Sequence, residues 1–277
     1  MGLRINTNVQ SLRAQTSVSK NEEAKSNTLA KLSSGSRINK AGDDAAGLAI
    51  SEKLKAEIRG SLQANRNAGD GISMIQTAEG GLNETSNILI RLRELSVQSA
   101  SDTIGEEERK FSNLEFQQLS KEIGRIAEST EYNGKKLLNG EGEDLDFQIG
   151  IRNNPNNDRL SYRPQESSGR PSDLGVDGLG VLTKADAQEN LEKIDHAING
   201  INGNRASLGA LQNRLQSTIS NLEVKTENLS AANSRVRDAD VALESAELAK
   251  SNILSAASTS VLAQANNSGS IALKLIS

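Results

Sequence analysis

The chain has 277 residues, 36 acidic side chains against 32 basic ones, no cysteine, no tryptophan and 2% aromatics. Absent thiols exclude disulfides, a cysteine nucleophile and Cys-ligated zinc, and the mixed, slightly negative charge lacks the basic footprint of a nucleic-acid binder. Hydrophobics at 35% fall below the about 45–50% of average globular chains, so thin, elongated packing by Leu, Ile, Val and Ala is expected rather than one thick core.

Residues 1–40 are patterned but poor in large apolar side chains and rich in Asn, Gln, Ser and Ala. Alone they bury too little surface to offset the entropy of ordering. Met1–Gln10 (MGLRINTNVQ) has no apolar segment, so no cleavable secretory signal is expected. From Asp43 to Ala100, Leu54, Ile58, Leu62, Ile72, Ile75, Leu82, Leu89 and Leu92 recur mostly at helical spacing. Ser101–Gly105 breaks the pattern. Thr103 and Glu106 resemble a capping box, and Glu106, Glu107 and Glu108 suit the positive end of a helix dipole. A second helix follows, with Phe116, Leu119, Ile123 and Ile126 at 3-4-3 spacing. The short linkage makes the two helices antiparallel.

Between 134 and 182 the pattern changes. Leu145–Ile151 (LDFQIGI) and Arg159–Arg163 (RLSYR) alternate partly with period two, and Asn153–Asp158 separates them, which predicts a β-hairpin. Residues 165–182 read as loop and turn. All three prolines lie in this middle region, and the three Phe and two Tyr lie between 111 and 162. From Gly209 to Gly269 there is neither Gly nor Pro between, which predicts one long helix in the C-terminal third. Steps of seven from Ala187 meet Ile194, Ile201, Leu208, Leu215, Leu222, Leu229, Val236 and Leu243, all apolar. A seven-residue repeat keeps one stripe on one helix face, and the register survives Gly200, Gly203 and Gly209. A weaker seam (Leu191, Ile198, Leu211, Ala232, Ala239, Ala246, Ile253) is interrupted by Thr218 and Lys225. A helix of about 55 residues is ~80 Å long and needs partners, which the first two helices supply as a rod-like bundle of three. Ser251–Leu273 carries no charge, yet about half of it is polar, so it is too polar to span lipid and is expected to meet protein on several faces.

Chemistry-bearing residues are sparse. The single histidine, His196, lies off the main stripe and reads as an ordinary, partly exposed side chain; one His cannot form an H-E-x-x-H site. No nucleotide fingerprint is present, and no catalytic, cofactor or metal residues are expected. Glu141, Glu143, Asp144 and Asp146 cluster near Gly140 and Gly142, but their spacing fits no EF-hand loop, so a solvated turn is favoured over calcium. The Asn83, Asn228 and Asn266 sequons fall on predicted helices or near the packed terminus and read as chance.

The sequence resembles bacterial flagellin. The matching segments are Ile5–Leu12 (INTNVQSL), Leu32–Asn39 (LSSGSRIN), Asp43–Glu52 (DDAAGLAISE), Gln76–Leu82 (QTAEGGL), Arg91–Gln98 (RLRELSVQ), Tyr132–Leu138 (YNGKKLL), Leu208–Leu215 (LGALQNRL) and Thr259–Asn266 (TSVLAQAN). They cover most of both termini and both helical arms. The resemblance implies a mainly α fold: residues 1–43 and 238–277 pair as a terminal coiled coil in the filament core. Residues 44–237 form a rod domain with helices at about 44–100, 104–129 and 184–237 and a β-hairpin and turn region at about 134–182. The family's variable domains are inserted between the second and last rod helices, where this chain has only about 50 residues, so a short form without projecting domains is implied. Asn267–Ser277 (NSGSIALKLIS) departs from the proline and terminal arginine of many members.

The resemblance further implies a self-assembling, non-enzymatic subunit of the extracellular flagellar filament, with termini that fold on assembly. The implied partners are further copies of the chain, with or without other flagellins, the export apparatus and chaperone, and the cap and hook-junction proteins. No nucleic acid, membrane insertion or cofactor is implied. Arg91 and Leu95, with Glu115 placed by counting back from Lys121–Ala127 (KEIGRIA), correspond to the contact for Toll-like receptor 5 and pack neighbouring protofilaments. Exposed Ser161, Ser167 and Ser168 would be the candidates for O-glycosylation. Two alternatives stand beside the filament reading: a hook–filament junction protein and a non-flagellar coiled-coil scaffold.

Overall fold

The computed structural model describes the backbone of residues 7–274 and the side chains of residues 7–267. Met1–Asn6, including the start of the INTNVQSL segment, and Leu275–Ser277 of the divergent closing segment lie outside the described residues. The elements in order are α1 (Val9–Ser34), α2 (Ala45–Ser99), α3 (Glu106–Ser129), β1 (Glu131–Tyr132), β2 (Lys135–Lys136), β3 (Leu145–Gln148), the single turn α4 (Pro155–Asp158), β4 (Arg159–Tyr162), a 3-10 turn (Pro164–Ser167), α5 (Lys184–Arg237) and α6 (Val241–Lys274). The fold is mainly α, with long helices and one small hairpin region, as the sequence reading expects. Contacts divide the chain into two units, Met1–Ala56 with Asn228–Ser277, and Glu57–Glu227.

The Glu57–Glu227 unit is a three-helix bundle. Leu82, Leu89 and Leu92 of α2, Phe116, Ile123 and Ala127 of α3, and Ala187, Ile194, Ile201, Leu208 and Leu215 of α5 share one core. Each fully buried Leu or Ile contributes about 1.5–3 kcal/mol relative to exposure, and the seven-residue stripe of α5 supplies the longest such row. Arg93 pairs with Asp195, and Glu79 lies near Arg205, so α2 and α5 run antiparallel. Arg91 meets Glu115 while Gly81 lies against Thr130, so α2 and α3 are antiparallel too. At Gly81 a Cβ would come within 2.7 Å of Thr130 and Leu138; only glycine lets the segment after α3 pack so closely on α2. Gly200, Gly203 and Gly209 lie inside α5, with open space where a Cβ would stand.

β3 and β4 pair antiparallel from Leu145↔Tyr162 to Gln148↔Arg159, with α4 forming part of their connection. Tyr162 is buried, and its hydroxyl donates to the Leu137 carbonyl at 2.6 Å. A second, smaller hairpin joins β1 to β2 through Asn133 and Gly134, both at positive φ (50° and 75°). An Asn-Gly turn of this kind follows the twist of the strands; the sequence pattern does not single out this hairpin.

Three expectations need correction. The Thr103–Glu106 capping box is not formed: α3 starts at Glu106 with Gly105 as its N-cap, and the Thr103 hydroxyl lies 2.7 Å from the Ser101 hydroxyl. The C-terminal third is two helices, not one. A break at Asp238–Asp240 is made without Gly or Pro, and the apolar stripe fades across it, from buried Leu222 to Leu243 at 69% exposure. Ser167 and Ser168 are buried, and the Ser168 hydroxyl bonds to Asp173, which leaves only Ser161 of the three exposed.

In the Met1–Ala56 and Asn228–Ser277 unit, α1 packs along α6. The Asn8 side chain caps α1 by accepting from the Ser11 amide at 3.1 Å, and Gly35 ends it in the left-handed region at φ 67°. The Asp240 carboxylate accepts from the Ala242 and Leu243 amides at 2.9 and 3.2 Å and starts α6. Such caps satisfy amide groups that the first helical turn leaves without partners.

Candidate functional site

Polar side chains tie α1 to α6 at several points. The Asn8 amide donates to the Ala265 carbonyl at 2.9 Å, the Ser11 hydroxyl to Asn266 at 2.7 Å, and the Asn21 amide to Ser258 at 2.7 Å. Lys31 lies 3.6 Å from the buried Glu244. The order of these contacts makes the helices antiparallel. Between them they bury Ala14, Thr28, Glu244, Ser251 and Ala265, which are small or polar. Val18, Leu32, Leu248 and Leu262 are half-buried, while other large apolar side chains of the pair point outward: Leu12 is 55% exposed, Ile253 69% and Val261 59%. A two-helix pair has too little interior to cover both apolar faces, so these residues await another surface.

At one end of this pair the chain makes a compact junction. The Arg37 amide donates to the Arg237 carbonyl at 2.7 Å, the Ala239 amide to the Gly35 carbonyl at 3.0 Å, and Ser36 bridges Asp238 antiparallel. The Arg37 guanidinium donates to the Val236 carbonyl, and Arg237 pairs with Glu52. Ile38 is buried at 1% exposure beneath this loop. Asp43 accepts from the Lys40 and Asn39 amides, which hold its carboxyl below the usual range. The helix break at 238–240 is therefore made by main-chain pairing with residues about 200 positions away, a signal absent from local sequence.

In the bundle unit, Arg91 and Glu115 come together across α2 and α3 with Nε and Oε1 2.8 Å apart, and Arg91 Nη1 lies 3.0 Å from Glu94. These bonds, Glu115 first, raise the Arg91 pKa. Both partners are exposed. Leu95, one turn along α2, is 2% exposed and belongs to the core. The same two helices expose Val97, Phe111 and Leu114, the last two at 68% and 62%. Phe111 lies off the 3-4-3 face of α3, and that offset was the available signal for its exposure.

The acidic cluster is divided among separate partners. Glu141 pairs with Arg170, Asp144 with Arg163, and Asp146 accepts from the Ser161 hydroxyl. Among the described residues no group of three His, Asp or Glu is placed to hold a metal. His196 is exposed, 3.9 Å from Glu192. No helix of the described residues is long and apolar enough to cross a membrane.

Residues 5–143 match the bacterial flagellin N-terminal helical region, and residues 191–276 match the bacterial flagellin C-terminal helical region. The chain belongs to the bacterial flagellin family. It is 44% identical to a flagellin of Halalkalibacterium halodurans over 272 residues, covering 98% of this chain and 99% of that one. It is 42% identical to a flagellin of Bacillus subtilis, covering 99% and 100%. The solved structure of a Bacillus cereus flagellin superposes with a TM-score of 0.51 at 29% identity, over 61% of this chain and 94% of that one. This flagellin is a short form: residues 130–183, which join α3 to α5, hold two small hairpins and turns in place of variable outer domains. As a flagellin it is a structural subunit of the flagellar filament, and near-full-length identity to flagellins disfavours the junction-protein and scaffold readings.

Proposed function

We propose that this flagellin polymerises by completing the interior of its terminal helix pair with neighbouring copies. The observation that carries this reading is the exposure of Leu12, Ile253 and Val261 on two helices whose fully buried residues are all small or polar. Such a pair is marginal alone, because ordering its backbone costs about 1–2 kcal/mol per residue. Packing against other copies supplies the missing burial, so assembly is folding coupled to binding. Residues 1–43 and 238–277 are assigned to the filament core, disordered in the monomer. Residues 44–237 are assigned to the rod that sets subunit spacing. Repeated head-to-tail contacts that do not close generate a helical polymer.

The protein acts outside the cell and performs no catalysis. Its passage requires the export apparatus and a chaperone, and its placement requires the cap and hook-junction proteins. Purified monomer should polymerise as concentration and salt rise, with filaments visible by electron microscopy, and removal of residues 240–277 should abolish this. Polymers from the truncated chain would overturn the assignment.

The exposed Arg91–Glu115 pair, with Phe111 and Leu114 on the same surface of α3, supports a second contact, with the ectodomain of Toll-like receptor 5 or with a neighbouring protofilament. Leu95 then acts from beneath, by holding α2 in place. Arg91→Ala should weaken binding of the monomer to purified ectodomain by at least about tenfold, since a lost charge-assisted pair is worth about 1.5–3 kcal/mol. No binding by the intact monomer would remove the receptor from this reading.

A further inference from the structure

The hairpin and α5 enclose an open groove of about 500 Å3, lined by Asn156, Asn157, Arg159, Asn213, Arg214 and Thr218. It continues along β4 into a second hollow of about 490 Å3 that shares Arg159, Leu160 and Arg214. Both lie within the Glu57–Glu227 unit. Neither arginine of the groove forms an ion pair among the described residues. Among the described residues Arg159 bonds to the neutral Gln148 and Asn153 side chains, at 3.2 and 2.6 Å. The exposed Arg214 guanidinium has no partner among the described residues. Of the neighbouring acids, Asp158 accepts from the Asn154 amide at 3.0 Å and keeps its charge, while Glu166 is engaged by Arg163. Asn156, Asn157 and Asn213 line the same groove and add amide donors to the two guanidinium groups, a setting suited to carboxylates.

The opposite end of the same bundle has the opposite sign. The first turn of α3 carries Glu106, Glu107 and Glu108. Glu107 pairs with Lys110 and the neighbouring Asp102 with Lys184, while Glu106 and Glu108 are exposed and form no ion pair among the described residues. Lys184, beside Asp102, and Arg214 stand thirty residues apart on α5, which is ~45 Å of helix. The acidic turn therefore cannot reach the groove of its own chain. A second copy can bring it there.

Resting on the filament reading above, we propose that the first turn of α3, through Glu106 and Glu108, docks into the Arg159–Arg214 groove of the next copy. The contact is heterologous, each subunit offering one surface and accepting the other, so it propagates without closing. Charge complementarity of this kind sets register and speeds addition of subunits more than it adds affinity, and it weakens with salt.

Seeded elongation on wild-type filament fragments, followed by light scattering, tests the docking. Arg214→Glu and the double change Glu106→Lys with Glu108→Lys should each slow low-salt elongation about tenfold or more, and Arg214→Gln by less. The triple variant, whose groove then holds a carboxylate at position 214 beside Arg159, should elongate with its own seeds faster than the Glu106→Lys, Glu108→Lys variant, whose lysines meet two arginines. Circular dichroism melting of the Arg214 variants should match wild type, because that side chain has no partner among the described residues, while Glu106→Lys with Glu108→Lys, alone or in the triple variant, should lower the melting point by a few degrees by placing cations at the positive end of the α3 dipole. Single-surface variants that elongate like wild type, or a triple variant no faster than the Glu106→Lys, Glu108→Lys variant, would overturn the docking. Wild-type protein that fails to elongate on its own seeds would instead overturn the filament reading itself, and the docking with it.

Discussion

Tyr162 concentrates the chemistry of the bundle in one side chain. It is buried, its hydroxyl is bonded to the Leu137 carbonyl, and burial pushes its phenol up to about 12. Tyr162→Phe leaves that buried carbonyl without its donor and should cost about 1–3 kcal/mol in urea denaturation of the monomer. Absorbance titration should place the Tyr162 transition near pH 12, not with an ordinary tyrosine. The surface carboxylates set a different dependence. Lys184 lowers Asp102, Lys136 and Arg170 lower Glu128, and Arg93 lowers Asp195. A carboxyl depressed on folding stabilises the native state above its unfolded pKa and loses that contribution as pH falls through its folded pKa. Monomer stability should thus be level above about pH 5 and decline below about pH 4, where the unfolded carboxyls take up protons. A flat profile down to pH 3 would contradict these pairings. The family resemblance points to Arg91 through its motif and to Glu115 by counting back from Glu122, and the two side chains lie 2.8 Å apart. The burial of Leu95 follows from its position on the inner face of α2, beside Leu92, which the Leu82–Leu89–Leu92 spacing already marked.

The long helices were legible because their apolar spacing is regular and their partners lie within one chain. The stripe from Ala187 to Leu215 is buried throughout. The break between α5 and α6 was not legible, because it depends on the Asp240 cap and on main-chain bonds to Gly35 and Arg37. Neither leaves a Gly or Pro behind. Asp240→Ala should destabilise the start of α6 by about 1 kcal/mol, measurable as faster exchange of the Ala242 and Leu243 amides in the filament. The same stripe divides by role on either side of the break. Leu215→Ala should cost the monomer about 2–5 kcal/mol. Leu243→Ala, at a position 69% exposed, should change monomer stability by less than about 0.5 kcal/mol while raising the concentration needed for polymerisation. Equal effects of the two on the monomer would refute this division. The small β1–β2 hairpin escaped because its strands are two residues each, too short for alternation to register, although Asn133–Gly134 carried the turn signal.

At the scale of the whole molecule, low aromatic content and low hydrophobicity acquire a physical meaning. The bundle unit has its own core and stands on intrachain packing. The terminal pair has polar hydrogen bonds to fix its register and large apolar residues turned outward. The Asn, Gln, Ser and Ala composition of the termini signalled a segment unable to order alone, but not which residues would face other copies, since that depends on how α1 and α6 meet. The most direct test is hydrogen exchange of residues 7–34 and 241–267, measured on the monomer and on the assembled filament. Little protection in the monomer and full protection in the filament is the predicted result. Full protection of both segments in the monomer would contradict the account.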